Sequence, residues 1–404
     1  MAGLPMPLLE ELRADLARHA RRAALGRDAA RKEGGGDSKA FLCQSARRPW
    51  LTYDADALLP NPFDAFLLSG SCPQAPWLAT ATSAAGTECA AWAEEVSLCY
   101  VVGCGRSGST VFGDVLSHYE DVVYLNEPRQ LWIPLLPAVD VWSTMAPDRG
   151  GRLVFACEEA LRAAAFNEES CGECASSRSL ASSIGQAYHD IAALVAPTAA
   201  RDGRHCIILE KFPEHAFRIP FLSSVCQQSL GLGRCTFVHL LRDGVDVARS
   251  VSRFGSSASW YGVKSDWKWK QLLACLEESP LGISEEFRGF LTHSKIELQL
   301  FARGLVEWAL CITFARRGAE AAFAEARVLE VRYEDLVSEP GRVLTTLEEA
   351  LGLPPSDAVR RWASESLHCR TSAPLTAEEA AVLRTLKDSQ IEALLQEFGR
   401  DLPE

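Results

Sequence analysis

The sequence VVGCGRSGSTVF, residues 101–112, decides which fold this chain can adopt. It matches the phosphate-binding pattern G-x-x-x-x-G-K-[ST] except at the lysine, where Ser109 stands instead. An arginine, Arg106, occurs earlier in the loop. The loop follows an apolar run and precedes a segment with helical spacing, so its backbone N–H groups should point out of a helix N-terminus towards an anion. The stretch therefore predicts a strand, an anion-binding loop and a helix, against the alternative of a simple glycine and serine turn.

Apolar runs rich in Val, Ile, Leu and Cys recur along the chain and alternate with helical stretches. The four clearest runs are residues 97–103, 206–212, 235–241 and 326–331. Continuous apolar strands separated by helices are typical of a parallel sheet that is buried on both faces. The sequence therefore predicts an α/β fold: a P-loop-like parallel sheet with helices on both faces and a ligand site at the carboxyl ends of its strands.

The composition of the chain changes at about residue 95, where we place a domain boundary. Residues 1–95 are predicted to form an N-terminal helical extension and an irregular lead-in. Residues 96–404 are predicted to form the main domain, with an insertion at about residues 130–205. The insertion contains Cys171 and Cys174, which have metal-ligand spacing. Because a second C-x-x-C is absent from the sequence, we expect a flexible loop there rather than a zinc site or a disulfide.

The composition argues against several classes of protein. A net charge of −12 argues against a sequence-independent nucleic-acid binder, which needs a surplus of Lys and Arg. We find no apolar run of bilayer-spanning length and no signal peptide, so we expect a soluble, cytoplasmic protein without a membrane span. The 14 cysteines are scattered, which favours buried thiols in a reducing compartment over a disulfide scaffold.

A second motif, HLLRDGVDVARSVSRF at residues 239–254, places Arg242 at the end of an apolar run. Ser250 follows about two helical turns later, so both side chains could reach one phosphate. The alternative is purely structural: Arg242 and Asp243 would cap the helix and form a surface ion pair worth about 1 kcal/mol or less. The motif alone does not decide between these two interpretations.

The two motifs together resemble the sulfotransferases that use 3′-phosphoadenosine 5′-phosphosulfate (PAPS). The features that carry the resemblance are the lysine-free loop, the R-D-G after a strand and the later serine. The segment VRYEDLVSEPGRVLTTLEEALGLP, residues 331–354, is similar to the strand and helix that close that fold. The short loop sequence RSGST is especially similar to the tyrosylprotein and carbohydrate sulfotransferase branches. The resemblance covers about residues 97–365.

This resemblance implies a donor site with two halves. Arg242 and Ser250 would bind the 3′-phosphate of PAPS, and Tyr333 would either contact the adenine or be a core aromatic residue. The 5′-phosphosulfate would be bound by Arg106, Ser107, Gly108, Ser109 and Thr110. No metal would be required, because no Mg²⁺ has to bridge two phosphates.

The resemblance also implies the catalytic groups. Glu127 in YLNEPRQLW would be the base that takes the acceptor's proton, while Arg106 and Lys211 would stabilise charge on the departing phosphate oxygen. Glu127 could instead be an exposed loop residue, with His118 and Asp114 as weaker rivals for the base. Lys211 could instead be a solvated residue at the strand end.

The acceptor is less well defined than the donor. We expect a hydroxyl or amine on a small metabolite or carbohydrate rather than on a protein. Four aromatic residues either line an acceptor wall or belong to the core: Trp260, Tyr261, Trp267 and Trp269. Relatives often end with a basic, Trp-containing segment over the cofactor, for which Arg370 is the only good substitute here. Two other functions stay open: a nucleotide-dependent kinase or phosphotransferase, and a non-catalytic nucleotide-binding relative.

Overall fold

The computed structural model describes most of the predicted main domain outside the insertion. The described residues are 96–119, 121–126, 188, 205–230, 235–255, 260–261, 267–277, 279–322, 326–367 and 373–403. The predicted N-terminal extension, residues 1–95, and nearly all of the predicted insertion therefore lie outside the described residues. The same holds for Cys171, Cys174 and Arg370.

The centre of the described domain is a parallel sheet. In chain order its five strands are β1 (Val96–Val102), β2 (Val122–Asn126), β3 (Cys206–Lys211), β4 (Cys235–Leu241) and β5 (Arg327–Arg332). Their order across the sheet is β2-β3-β1-β4-β5, and every neighbouring pair is parallel. The four predicted apolar runs form β1, β3, β4 and β5, which confirms the predicted α/β class. Strand β2 was not predicted from the sequence.

Eleven α-helices and one 3-10 helix accompany the sheet in the described part of the chain. In chain order they are α1 (Ser109–Leu116), the 3-10 helix (Pro213–Phe217), α2 (Ile219–Leu230), α3 (Gly244–Gly255), α4 (Trp267–Glu277), α5 (Glu285–His293), α6 (Ile296–Ala321), α7 (Tyr333–Ser338), α8 (Pro340–Leu351), α9 (Asp357–Ser366), α10 (Ala377–Arg384) and α11 (Gln390–Glu397). Their ends carry ordinary signals: Thr376 and Glu379 form a capping box at α10, and Gly352 ends α8 in the left-handed conformation.

Helices cover both faces of the sheet, as the sequence predicted. Alternate residues of a strand point to opposite faces. In β1, one apolar cluster contains Leu98, Tyr100 and Val102, and the other contains Cys99 and Val101. The first cluster includes residues of α3 and α6, and the second includes residues of α1, α8 and α9. Each large apolar side chain buried in this way contributes about 1.5–3 kcal/mol to stability. The two layers therefore hold the strand ends, and the loops that follow them, in place.

Helix α6 corrects the expectation that the chain has no apolar run of bilayer-spanning length. By length and composition, Ile296–Glu320 could cross a membrane, with a mean hydropathy of 1.3 in its most apolar window. However, 78% of that window is buried inside the domain. Leu305, Val306 and Trp308 are among its fully or almost fully buried side chains. Burial of this extent is what the central helix of a core requires.

The strand order predicts where a ligand should bind at the carboxyl edge of the sheet. In the chain, β1 is followed by β2 at one edge of the sheet, whereas β4 is followed by β5 at the other edge. Strands β1 and β4 are themselves neighbours. Open parallel sheets bind ligands in the crevice where the connections from two adjacent strands diverge. The loop after β1 and Arg242 after β4 both lie at this point.

Candidate functional site

The loop after β1 depends on glycine. Gly103 and Gly108 have φ angles of +144° and +92°, which side chains with a Cβ rarely adopt. A Cβ added to Gly103 would lie 2.5 Å from the backbone oxygen of Leu240 in β4. Gly108 is the N-cap of α1 and has no side chain to cap it. The backbone N–H groups at the start of α1 are therefore left to bind something else, as the sequence predicted for an anion-binding loop.

Arg106 brings the two sequence motifs together. Its φ of +70° is left-handed, a conformation that costs about 1–2 kcal/mol for a residue with a Cβ. Its exposed side chain donates from Nε to Oγ of Ser250 at 3.0 Å. Arg242 donates from Nη1 to the backbone oxygen of Arg106 at 3.2 Å. Arg106, Arg242 and Ser250 thus form one cluster, although they are far apart in the sequence.

Tyr333 completes this cluster from β5. It is the first residue of α7, directly after the strand. Its ring lies 4.6 Å from the guanidinium carbon of Arg242, at cation–π distance. A Cβ added to Gly108 would lie 2.4 Å from the same ring. Tyr333 is therefore packed between the loop and Arg242, and it also contacts the edge of the second apolar cluster.

Two buried polar groups at the site lack a hydrogen-bond partner. They are Oγ of Ser107, a residue that is 1% exposed, and Nε of Arg242. A buried polar group without a partner costs about 1–3 kcal/mol. An anion that accepts from both groups would remove this cost, so these residues fit a phosphate ligand. Ser109 is also buried, whereas Thr110 is exposed at the first turn of α1.

The helix that carries Ser250 is held at its N-terminal end and near its middle. Asp243 accepts the N–H of Asp246 at 2.9 Å and so caps α3, as the structural alternative expected. Arg242, however, faces the loop instead of pairing with Asp243. Arg249, next to Ser250, forms two hydrogen bonds to Glu379 at 2.8 and 2.7 Å. Arg249 also donates to the backbone oxygens of residues 373 and 374, which connects the C-terminal segment to the helix that carries Ser250.

Lys211 occupies the carboxyl end of β3. It pairs in register with Val101 of β1 and Asn126 of β2, and it is 1% exposed. The interpretation of Lys211 as a solvated strand-end residue is therefore wrong. The register places Lys211 one strand away from the loop that follows β1.

Glu127, the predicted base, lies outside the described residues and directly after β2. Its rival His118 follows the C-terminal end of α1, whereas the loop precedes the N-terminal end. The His118 ring stacks on Trp362 with ring centroids 3.9 Å apart, and although the residue is exposed, partial desolvation lowers its pKa. His118 is thus part of a packed contact away from the loop.

In the described residues, no group of three or more potential metal ligands occurs.

The aromatic residues after α3 belong to the core. Trp260, Tyr261 and Trp269 are all buried, and the side chain of Trp267 lies outside the described part. Trp260 has a second role that the sequence did not indicate. A Cβ added to Gly105 would lie 2.6 Å from its indole ring, so Trp260 packs directly against the phosphate loop.

Trp308 of α6 is another site residue that sequence reasoning missed. Its Nε1 donates to the backbone oxygen of Arg242 at 2.9 Å. A Cβ added to Gly244, at the start of α3, would lie 2.8 Å from its ring. Trp308 therefore supports the turn that carries Arg242. Its spacing within an apolar helix is that of any core residue, so no local signal could have identified it.

The fold and site define a class: a parallel α/β protein whose phosphate-binding loop is opposed by an arginine and a serine. Two family models match the sequence, the Sulfotransferase family over residues 99–279 and the Sulfotransferase domain over residues 214–377. Together the two models span residues 99–377, which confirms the resemblance to sulfotransferases seen in the motifs and supports sulfotransfer activity in general. No curated protein matches the sequence significantly.

Several solved structures are similar to this chain. The sulfotransferase domain from the curacin biosynthetic pathway is 15% identical, with a TM-score of 0.40, and the match covers 76% of this chain and 99% of that one. A sulfotransferase from Alicyclobacillus acidocaldarius is 16% identical, with a TM-score of 0.32 and coverage of 74% and 95%. A sulfotransferase from Mycobacterium avium is 13% identical, with a TM-score of 0.37 and coverage of 74% and 76%.

Proposed function

We propose that this protein transfers a sulfuryl group from PAPS to a hydroxyl or amine of an acceptor. The observation that carries the proposal is the cluster formed by the two motifs. Arg106 of the loop contacts Ser250 at 3.0 Å, and Arg242 holds the loop backbone at 3.2 Å. One ligand with phosphates at two positions could therefore contact both motifs at once. A nucleotide with a single phosphate group would leave one motif unused.

The residues at the site suit such a donor. Arg242 and Ser250 would hold the 3′-phosphate, and Tyr333 would contact the adenine. The loop residues would hold the 5′-phosphosulfate: Arg106, Ser107, Gly108, Ser109 and Thr110. The unpartnered polar atoms of Ser107 and Arg242 support this assignment, because phosphate oxygens would satisfy both.

The contact between Arg106 and Ser250 adds a requirement. While the Arg106 guanidinium is bonded to Ser250, it lies on the side of the proposed 3′-phosphate residues. To stabilise charge at the 5′-phosphosulfate, Arg106 must exchange this bond for ligand oxygens. Because its side chain is exposed, such a movement needs no repacking of the core. We therefore propose that Arg106 changes partner when the donor binds.

The proposed chemistry needs a base and positive charge. PAPS supplies an activated sulfuryl group when bound. Glu127 would take the proton of the acceptor, a role that typically contributes about 10²–10⁴ in rate. Arg106 and Lys211 would provide positive charge at the departing oxygen, so the mechanism would proceed in-line and without a metal.

The acceptor and the setting are also proposals. We propose a small metabolite or a carbohydrate as acceptor; of the two branches that the loop resembles, the carbohydrate branch agrees with this choice. A nucleic acid is a poor candidate, because the net charge of the chain is −12. We further propose a cytoplasmic location, in line with the seven buried free cysteines in the described part of the chain.

The proposal is tested by incubating the protein with PAPS and a panel of phenols, sugars and primary amines in the presence of EDTA. We expect 3′-phosphoadenosine 5′-phosphate (PAP) to form together with a sulfated product. The variant Glu127→Gln should lower turnover by about 10²–10⁴ while PAP affinity stays unchanged. Full turnover of that variant would remove Glu127 from the mechanism. Mg²⁺-dependent phosphoryl transfer from ATP would favour a nucleotide-dependent kinase. PAP binding without any sulfated product would favour a non-catalytic nucleotide-binding relative.

A further inference from the structure

A buried tryptophan supports the phosphate loop from behind. The ring of Trp260 lies so close to Gly105 that an added Cβ would be 2.6 Å from its Cη2 and Cζ2 atoms. Trp260 itself is buried. A displacement of the indole would therefore leave the backbone of Gly105 unsupported, in a loop that already contains the strained residue Arg106.

The orientation of Trp260 is determined by a buried ion pair. Glu307 accepts the indole N–H through Oε2 at 2.7 Å and the ammonium of Lys268 through Oε1 at 2.6 Å. The same ammonium lies 4.3 Å from the centroid of the Trp260 ring. One polar group thus holds the edge of the indole and another covers its face. The ring has little freedom to turn or slide.

Lys268 is charged in this position. Burial alone lowers the pKa of Lys268, but the nearby carboxylates of Glu307 and Glu214 overcome this effect, so the net shift of the pKa is upward. A buried ion pair is not in itself a source of stability, because well-packed apolar residues of similar volume often stabilise a core equally well. What the pair does provide is a defined geometry for Trp260.

Helix α6 connects this network to the second motif. Glu307 and Trp308 are consecutive residues of α6. Glu307 holds Trp260 against the loop, while Trp308 donates to the backbone oxygen of Arg242. One turn of a central, buried helix thus supports both halves of the site.

We propose that Trp260, Lys268 and Glu307 are positioning residues that hold the phosphate loop in the geometry required for the 5′-phosphosulfate. This inference rests on the proposed function. The loop has no lysine, so besides Arg106 and the loop hydroxyls its affinity depends on how well its backbone N–H groups are preorganised. Loss of the support should weaken binding at the 5′ end of the nucleotide and leave the 3′ end unaffected.

The test compares two ligands by calorimetric titration. PAP carries both the 5′- and the 3′-phosphate, whereas adenosine 3′-monophosphate lacks the 5′-phosphate. For Trp260→Ala we expect PAP binding to weaken about 10- to 100-fold, the range typical for loss of a supporting residue. Binding of adenosine 3′-monophosphate should change by less than about twofold. Trp260→Phe keeps an aromatic ring but lacks the distal atoms that face Gly105 and the N–H that Glu307 accepts, so it should recover only part of the PAP affinity.

A double variant addresses the ion pair. Glu307→Gln alone would remove the carboxylate that contacts the buried Lys268 ammonium at 2.6 Å, which should destabilise the fold. The combination Lys268→Met with Glu307→Gln removes both charges and retains an acceptor for the indole N–H. It should show the same selective loss of PAP affinity, and thermal unfolding will show whether it is folded. Trp362→Phe, at the contact with His118, is the matched control and should bind both ligands like the wild type.

The outcomes separate this inference from the proposed function. Equal weakening of both ligands in the Trp260 variants would indicate a general structural role and overturn the inference. Unchanged PAP affinity in Trp260→Ala would overturn it as well. In both cases the wild type still binds PAP and the proposed function stands. A wild-type protein that binds neither ligand would instead overturn the proposed function, and the inference with it.

Discussion

The two ends of the sheet are built in different ways. At the amino end, β3 and β4 begin with the buried residues Cys206 and Cys235. Cys226 of α2 packs there as well, with its Sγ 3.2 Å from that of Cys235. At the carboxyl end, by contrast, glycines with positive φ, a strained arginine and two unpartnered polar atoms occur together. The amino end consists mainly of packed side chains. The strain and the unpartnered donors at the carboxyl end fit the proposed ligand site, because a bound anion would use both.

Among the three variants that compare the two ends of the sheet, Gly108→Ala should have the largest effect. The φ of +92° costs a residue with a Cβ about 1–2 kcal/mol, and the new methyl group would collide with the ring of Tyr333. Both the loop and Tyr333 must then move. We expect PAP binding to weaken by at least about tenfold, measured by calorimetry. Gly341→Ala, a helical position with open space around it, is the control and should leave binding unchanged.

Ser107→Ala should have a smaller effect and would sharpen the comparison. The substitution removes a buried hydroxyl without a partner, so the free energy of unfolding should stay the same or rise by about 1 kcal/mol. PAP affinity should fall about fivefold, because one hydrogen bond to the phosphate is lost. Thermal unfolding and calorimetry of the same sample measure both quantities. A clear fall in the free energy of unfolding would show that the Ser107 hydroxyl has a structural partner. The difference between the amino and carboxyl ends of the sheet would then be smaller than we describe.

Cys226→Ala should have the smallest effect on binding. It removes a buried sulfur from the packed amino end, which should lower the free energy of unfolding by about 1 kcal/mol. PAP affinity should be unchanged. If this variant lost affinity as strongly as Ser107→Ala, the two ends of the sheet would be coupled, and packing would not explain the amino end on its own.

Much of the site could be predicted because its parts are local in sequence. The loop between β1 and α1 is a continuous stretch, and Arg242 and Ser250 lie in one strand and the helix after it. Apolar strands that alternate with helices indicated the parallel sheet. Strand β2 was missed because it is only five residues long. Short runs of this kind carry little periodicity.

The supporting residues could not be predicted because their partners are distant. Trp260 and Glu307 are 47 positions apart, and Arg249 and Glu379 are 130 positions apart. The residues around Glu307 in its apolar helix give no indication of which distant residue its carboxylate will contact. Such contacts follow from tertiary packing alone. The assignment of Glu127 as the base stays a prediction from the sequence.

The central claim is that the two motifs form one site for a nucleotide with a 3′-phosphate. It is tested most directly by calorimetric titration of the wild type and Arg242→Ala with PAP in EDTA, beside ADP with Mg²⁺. We predict tight, metal-independent binding of PAP to the wild type and about 100-fold weaker binding to Arg242→Ala, since hydrogen bonds to a charged group are lost. Preference for ADP with Mg²⁺, or equal PAP affinity in the two proteins, would contradict the account.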